Sequence, residues 1–115
     1  MTPDPTSFLP LKPIAFEILL ALAEGELHGY AILKVLESHD VQLAASLLYR
    51  KLRRMMEDDL VEESDVRPGP DDDDARRRYY RLTPLGHAVV RAEAARIVEL
   101  AQSRQIRRLA RGKHA

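Results

Sequence analysis

The stretch Ser46-Leu47-Leu48-Tyr49-Arg50-Lys51-Leu52-Arg53-Arg54-Met55-Met56 carries the reading of the whole chain. Leu48, Leu52, Met55 and Met56 recur at helical spacing and make one apolar face, which predicts a short amphipathic helix. Tyr49, Arg50, Arg53 and Arg54 lie around the other side, with Lys51 at the margin. A helix needs only its apolar stripe to fold, so the outward face is free to serve something else. Cations with one aromatic are the side chains that meet phosphates and base edges. They are also what an ordinary solvated basic face carries, so the neighbouring segments have to decide.

Upstream, two more short helices are predicted. From Pro13, tolerable in a first helical turn, Ile14, Ile18, Leu19 and Leu22 form an apolar stripe that ends at Glu24-Gly25. After the connection Glu26-Leu27-His28-Gly29-Tyr30, a second helix runs from about Gly29 to Ser38, with Tyr30, Ile32, Leu33, Val35 and Leu36 as its apolar set. His28 is read as a structural residue that fixes the turn before Tyr30. The residues from His39 to Gln42 break the pattern, and the third helix starts at about Ala44. Three short helices joined by tight links cannot each bury a face alone, so they must pack as a trihelical unit. Residues 1–12, with Pro3, Pro5 and Pro10, read as a mostly irregular arm whose Phe8, Leu9 and Leu11 are able to pack on a body or a partner.

Downstream of Asp58 the period changes from helical to alternating. Leu60 to Ser64 starts one strand and Arg77 to Leu82 forms its partner, with Tyr80 and Leu82 facing one way and Arg77, Tyr79 and Arg81 the other. The polar, turn-rich segment Arg67 to Ala75, with its run Asp71 to Asp74, makes a long hairpin loop. Thr83-Pro84 is a strong helix start. The helical pattern then continues to about Ala110 without proline, or glycine past Gly86. Leu85, Val89, Ala92 and Ala95 make one apolar stripe of that helix, flanked by Val90, Ala94, Ile97, Val98 and Ala101. This surface is wider than a small trihelical unit covers. A homodimer interface that includes Leu85, Val89, Ala92, Ile97 and Leu100 is therefore expected; the alternative is a terminal helix folded back on its own domain. The basic tail of Arg104, Arg107, Arg108, Arg111 and Lys113 either stays solvated or adds a second contact to DNA or an acidic protein.

The fold class that follows is mainly α with a small β-hairpin: a winged helix-turn-helix over residues 13–83, preceded by the arm at 1–12 and followed by a long C-terminal dimerisation helix at 84–115. In a winged helix-turn-helix the third helix enters the major groove and the hairpin touches the flanking backbone.

Composition narrows the function classes. At 115 residues, 45% hydrophobic and 31% charged, the chain is long enough for one small domain with a modest core. No apolar run approaches the roughly 20 residues that span a bilayer. The start Met1 to Pro5 lacks the features of a signal peptide, and no cysteine is present, so a cytoplasmic protein is expected. The four histidines, His28, His39, His87 and His114, share no metal-ligand spacing. No nucleophile elbow, phosphate-cradling glycine loop or catalytic carboxylate pair appears. Neither an enzyme nor a metal or organic cofactor is expected. The net charge is +0, but arginines crowd positions 50–54, 76–81 and 104–111 while acids crowd 57–74, and for a polyanion the local pattern outweighs the sum.

Four stretches, in order, resemble the PadR family of transcriptional regulators, in its short type with a single C-terminal helix. They are Ile18 to Gly25, Leu27-His28-Gly29-Tyr30-Ala31-Ile32, Leu48 to Leu52, and Arg76 to Gly86 with its Arg-Tyr-Tyr-Arg-Leu-Thr-Pro run. The resemblance implies a dimeric DNA-binding repressor, and in some members a small hydrophobic or phenolic effector near the dimer interface. It maps Tyr49 onto the recognition-helix tyrosine, with Arg50, Arg53 and Arg54 as neighbouring DNA contacts and Arg77 and Arg78 on the wing. Departures are equally plain. Ala45-Ser46-Leu47 stands where the family has a small polar entry to the helix, and Leu47 can neither cap it nor touch a phosphate. Asp59 stands where a glycine usually closes the helix. Four aspartates sit at the wing tip. These departures, with the neutral net charge, keep open a second reading: a winged-helix protein-interaction or dimerisation module without specific DNA binding.

Overall fold

The computed structural model describes residues 3–64 and 78–112. The chain runs through a short 3-10 turn (Pro5–Phe8), α1 (Pro13–Leu22), β1 (Leu27–His28), α2 (Gly29–Ser38), α3 (Ala45–Glu57), β2 (Val61–Glu63), β3 (Tyr79–Leu82), α4 (Pro84–Ala101) and α5 (Arg104–Ala110). This is the expected winged helix-turn-helix, mainly α with a small antiparallel sheet, and each of the first three helices lies where its apolar period placed it.

The core forms where these stripes converge. Ile18 and Leu19 of α1, Ile32 and Leu36 of α2, and Leu48 and Leu52 of α3 are fully buried. Leu60, Val61, Tyr80 and Leu82 close it from the wing. Tyr80 and Leu82 point inward, as the alternation required. Tyr30 does not: expected in the apolar set of α2, it is 60% exposed, with the Lys34 ammonium 5.3 Å above its ring. A residue at the first turn of a helix has no preceding turn to pack beneath, so its phenol reaches solvent and the lysine one turn on covers it.

Both helices of the helix-turn-helix end alike. In α2, Asp40 takes φ +62° and the Val41 N–H reaches the Leu36 carbonyl at 2.9 Å. In α3, Asp59 takes φ +62° and the Leu60 N–H reaches the Met55 carbonyl at 2.9 Å. These are left-handed caps with aspartate where glycine is usual, at a modest conformational cost. The start of α2 is capped by His28, whose Nδ1 accepts the Ala31 N–H at 3.1 Å; this is the structural role expected of that histidine.

The sheet holds one strand more than the sequence announced. β1 pairs with β3 through Leu27 opposite Tyr80 and His28 opposite Tyr79, and β2 pairs with the other edge of β3, Val61 opposite Leu82. Two residues are too few to show alternation, so β1 exists only because β3 offers an edge to pair with. The hairpin loop with Asp71–Asp74, and Arg77, lie outside the described residues.

Thr83 ties three elements together. Its hydroxyl donates to the Asp59 carbonyl at 2.6 Å and accepts the Gly86 N–H at 2.9 Å, while its own N–H donates to the Leu60 carbonyl at 3.1 Å. The end of α3, the start of β2 and the first turn of α4 therefore meet at one buried residue.

Beyond this point the structure departs from the expected single C-terminal helix. Helix α4 stops at Ala101, and a second helix, α5, restarts with Ser103 as its N-cap, its hydroxyl accepting the Ile106 N–H at 3.1 Å. A serine N-cap restarts a helix without glycine or proline, so the break at Ser103 leaves no breaker residue in the sequence. The apolar surface of α4 is also divided. Leu85 and Val89, expected at a dimer interface, are buried in the protomer's own core, because the first half of α4 packs back against α1 and β3. Ala92 is half-buried. Ile97, Val98 and Leu100 are exposed, as are Ile106 and Leu109 on α5.

The arm is less irregular than expected. Asp4 caps its 3-10 turn, which packs on α4. The Leu11 N–H donates to Oε2 of Glu93 at 2.6 Å, and the other oxygen of that carboxylate takes the Arg96 guanidinium. Glu93 is 1% exposed. The Arg96 hydrogen bond, followed by that of the Leu11 amide, holds its pKa below the ordinary glutamate value despite burial. A carboxyl depressed in the folded state stabilises the fold above its unfolded value of about 4.3 and loses that contribution as pH falls through the lower folded value. The substitution Glu93→Gln is therefore expected to lower the melting temperature at pH 7 and to flatten the acid side of the stability profile below pH ~4.3. Melts followed by circular dichroism from pH 3 to 7 check this, and an unchanged acid limb would refute it.

Candidate nucleic-acid interface

The outward side of α3 and the adjoining wing form a single surface. Leu48, Leu52 and Met55 anchor the inner face of α3 in the core, and this turns Tyr49, Arg50, Arg53 and Arg54 to solvent. Lys51 is half-buried at the flank. Arg54 is paired with Asp58 one turn on, Nε to Oδ2 at 3.5 Å. Arg50 and Arg53 have no carboxylate within ion-pair distance among the described residues. An exposed guanidinium without a local counter-ion is free to exchange its condensed anions for phosphate oxygens.

Tyr49 is 45% exposed, and its hydroxyl end lies over the first turn of α2. A Cβ on Gly29 would stand 2.4 Å from that hydroxyl, so a larger residue there would push the phenol aside. The glycine leaves room for the phenol over α2, and the exposed side of the ring faces solvent. Between α3 and the wing opens a cleft of about 260 Å³, lined by Tyr49, Arg53, Met56, Glu63, Arg78 and Tyr80. Arg78, at the start of β3, reaches Oε1 of Glu63 on β2 at 3.1 Å. Burial raises the Tyr80 phenol above its ordinary pKa, and Tyr49 and Glu63 push it the same way, so Tyr80 stays a neutral hydrogen-bonding group.

Of the six residues expected to contact DNA, Tyr49, Arg53 and Arg78 meet at this cleft, Arg50 is exposed on the same helix, Arg54 lies at the far flank of α3 beside Lys51, Asp58 and the N-terminal arm, and Arg77 lies outside the described residues. The outer strand face adds a separate network, with Arg81 held by Glu62 at 2.9 Å and Glu26 at 3.5 Å. The entry to α3 behaves as Leu47 announced: Ala44 is the N-cap and supplies no side-chain acceptor. Sequence reading missed the exposed pair Tyr30 and Lys34 on α2, whose spacing of four residues was the available signal. Tyr30, and after it Glu37, holds the Lys34 ammonium charged above the ordinary lysine range. Among the described residues no three His, Asp or Glu side chains converge as metal ligands would, and no helix is long and apolar enough to cross a membrane.

Comparison with known proteins gives the same direction. Residues 18–92 match the transcriptional regulator PadR-like family. The transcriptional regulator Rv3488 of Mycobacterium tuberculosis is 32% identical over 90 residues, which covers 77% of this chain and 79% of that protein. Among solved structures, RosR of H. salinarum in the complex hsRosR-S4 superposes with a TM-score of 0.67 at 25% identity, covering 95% of this chain and 91% of its own. A PadR family transcriptional regulator from Eggerthella lenta superposes with a TM-score of 0.60 at 29% identity, over 76% and 74% of the two chains. The matched span runs from α1 into α4 and contains the helix-turn-helix, the wing strands and the cleft between them, so the chain belongs to the PadR-like family of transcriptional regulators.

Proposed function

We propose that this regulator acts as a homodimeric, sequence-specific repressor that reads a pseudo-palindromic operator in the cytoplasm. The observation that carries the reading is the pair of exposed arginines, Arg50 and Arg53, without counter-charge among the described residues, on a helix whose inner face is locked into the core. In this reading α3 enters the major groove, Tyr49 and one or two of its arginines discriminate bases, and Arg54, Arg77 and Arg78 hold phosphates. Phosphate contacts supply most of the affinity and its salt dependence.

The exposed apolar side chains Ile97 and Leu100, continued by Ile106 and Leu109 on α5, support a twofold interface through the C-terminal helices. Leu85 and Val89 are given up as interface residues, since the protomer's own core uses them. A small hydrophobic or phenolic effector would relieve repression by binding the dimer geometry that cannot span two major grooves better than the one that can.

The test is fluorescence anisotropy of the protein against DNA from upstream of its own gene, with a scrambled duplex of equal composition, over a salt titration. Tight binding that prefers the upstream duplex at physiological salt is the expected result. Weak and equal binding to both would favour the winged helix as a protein-interaction module, the reading that the net charge of +0 supports.

A further inference from the structure

The cleft between α3 and the wing contains a group of the wrong sign for a surface that meets a polyanion. Of the described residues lining it, Glu63 is the one carboxylate, set among Arg53, Arg78, Tyr49 and Tyr80. It holds the Arg78 guanidinium at 3.1 Å. The two side chains are about half and two-thirds exposed, 49% and 68%, so neither is committed to the core, and the fold does not need the pair: its register opposite Tyr80 comes from backbone pairing. We propose that Glu63 is an affinity-setting residue of the DNA-binding face, which keeps the wing arginine Arg78 neutralised until a phosphate displaces the carboxylate.

The magnitudes favour a brake over a lock. An exposed ion pair is weak in water and is further screened by salt, so a phosphate replaces it readily. What the carboxylate removes is part of the counter-ion release that an unpaired arginine would contribute on binding. Arg50 and Arg53, with no such partner among the described residues, retain their full contribution. The arginines therefore have different tasks: Arg50 and Arg53 on α3 attract, Arg54 is tempered by Asp58 within its own helix, and Arg78 on the wing engages only when the duplex is seated. Because Arg78 meets backbone rather than bases, the brake acts on every sequence alike.

This inference rests on the DNA-binding reading, and its experiment separates the two. Glu63→Gln, Arg78→Gln and the double variant are compared with the wild-type protein by anisotropy against the upstream and the scrambled duplex, over a salt series. Glu63→Gln is expected to tighten both duplexes by the same factor, about two- to fivefold at low salt. It should steepen the salt slope by up to about one ion per protomer. In the Arg78→Gln background the same substitution should do nothing, since the arginine it releases is gone. A gain of affinity cannot come from misfolding, which makes the direction informative.

Unchanged binding by Glu63→Gln, or weaker binding, overturns the proposal while leaving the regulator reading intact. A gain that persists without Arg78 overturns it too, by showing a general field effect of the carboxylate. Wild-type protein that binds neither duplex at low salt removes the DNA-binding reading, and the brake falls with it.

Discussion

Gly86→Ala is expected to lower the stability of this protein by roughly 2 kcal/mol or more, against the ordinary preference of a helix for alanine. Gly86 lies in the first turn of α4. A Cβ built there stands 2.0 Å from the Leu60 carbonyl oxygen and 3.0 Å from its carbon. Helix propensity alone would make alanine better than glycine by about 1 kcal/mol. That gain is outweighed because the obstacle is backbone, and backbone that cannot yield. The Leu60 carbonyl is held by the Thr83 N–H at 3.1 Å, and the Leu60 N–H is held by the Met55 carbonyl as part of the α3 cap. Room for a methyl group requires α4 to move off the α3–β2 turn, and that motion breaks the Thr83 contacts and unseats Leu85, Val89 and Val90 from the core. For a chain of this size the loss corresponds to a melting temperature lower by roughly 8 °C or more. Thermal melts of the two proteins settle it, and an alanine variant that melts at or above wild type would show that α4 is not seated on Leu60 as described.

The double reversal Arg50→Glu/Arg53→Glu is expected to leave the fold unchanged and to abolish operator binding, with a loss of at least about a hundredfold. Both side chains are exposed and unpaired among the described residues, so the effect on stability should stay within about 0.5 kcal/mol. In the proposed dimeric complex each reversal replaces a cation by an anion at the surface turned to the phosphates, and each occurs twice. The salt slope should become shallower by about 0.9 for every phosphate contact removed. Anisotropy measures the affinity, and circular dichroism with sedimentation shows that fold and assembly persist. Undisturbed DNA binding by the double variant would move recognition away from α3 altogether. The pair of outcomes is distinct from that for Glu63→Gln, where affinity rises and the α3 arginines are untouched.

Much of the fold could be read directly from the residues. The apolar periods of α1, α2 and α3 gave their inner faces, because a helix that must bury a stripe displays it at a fixed spacing. The alternation in β3 gave the inward Tyr80 and Leu82, and Thr83-Pro84 gave the start of α4 to the residue. Asp59 was legible as the left-handed residue through the resemblance, which has a glycine closing the helix at that position, and it takes φ +62°. The outward face of α3 followed by subtraction: with Leu48, Leu52 and Met55 inside, Tyr49, Arg50 and Arg53 had to be outside.

What the sequence left open was decided by contacts between distant segments. Strand β1 is two residues long and takes its conformation from β3, more than 50 positions on. The arm is ordered by Glu93, 82 residues away from Leu11, and no local pattern links an amide to a buried carboxylate at that separation. The stripe of α4 reads the same whether its own domain or a second copy covers it, since burial has no direction in sequence. Tertiary packing assigned Leu85 and Val89 to the protomer and left Ile97 and Leu100 outside. The ion pair of Glu63 with Arg78 is of the same kind. Both residues look like ordinary strand charges until the hairpin register brings β2 and β3 side by side, and only then does Arg78 acquire a partner from another element, whereas Arg54 finds its partner, Asp58, one turn on in its own helix.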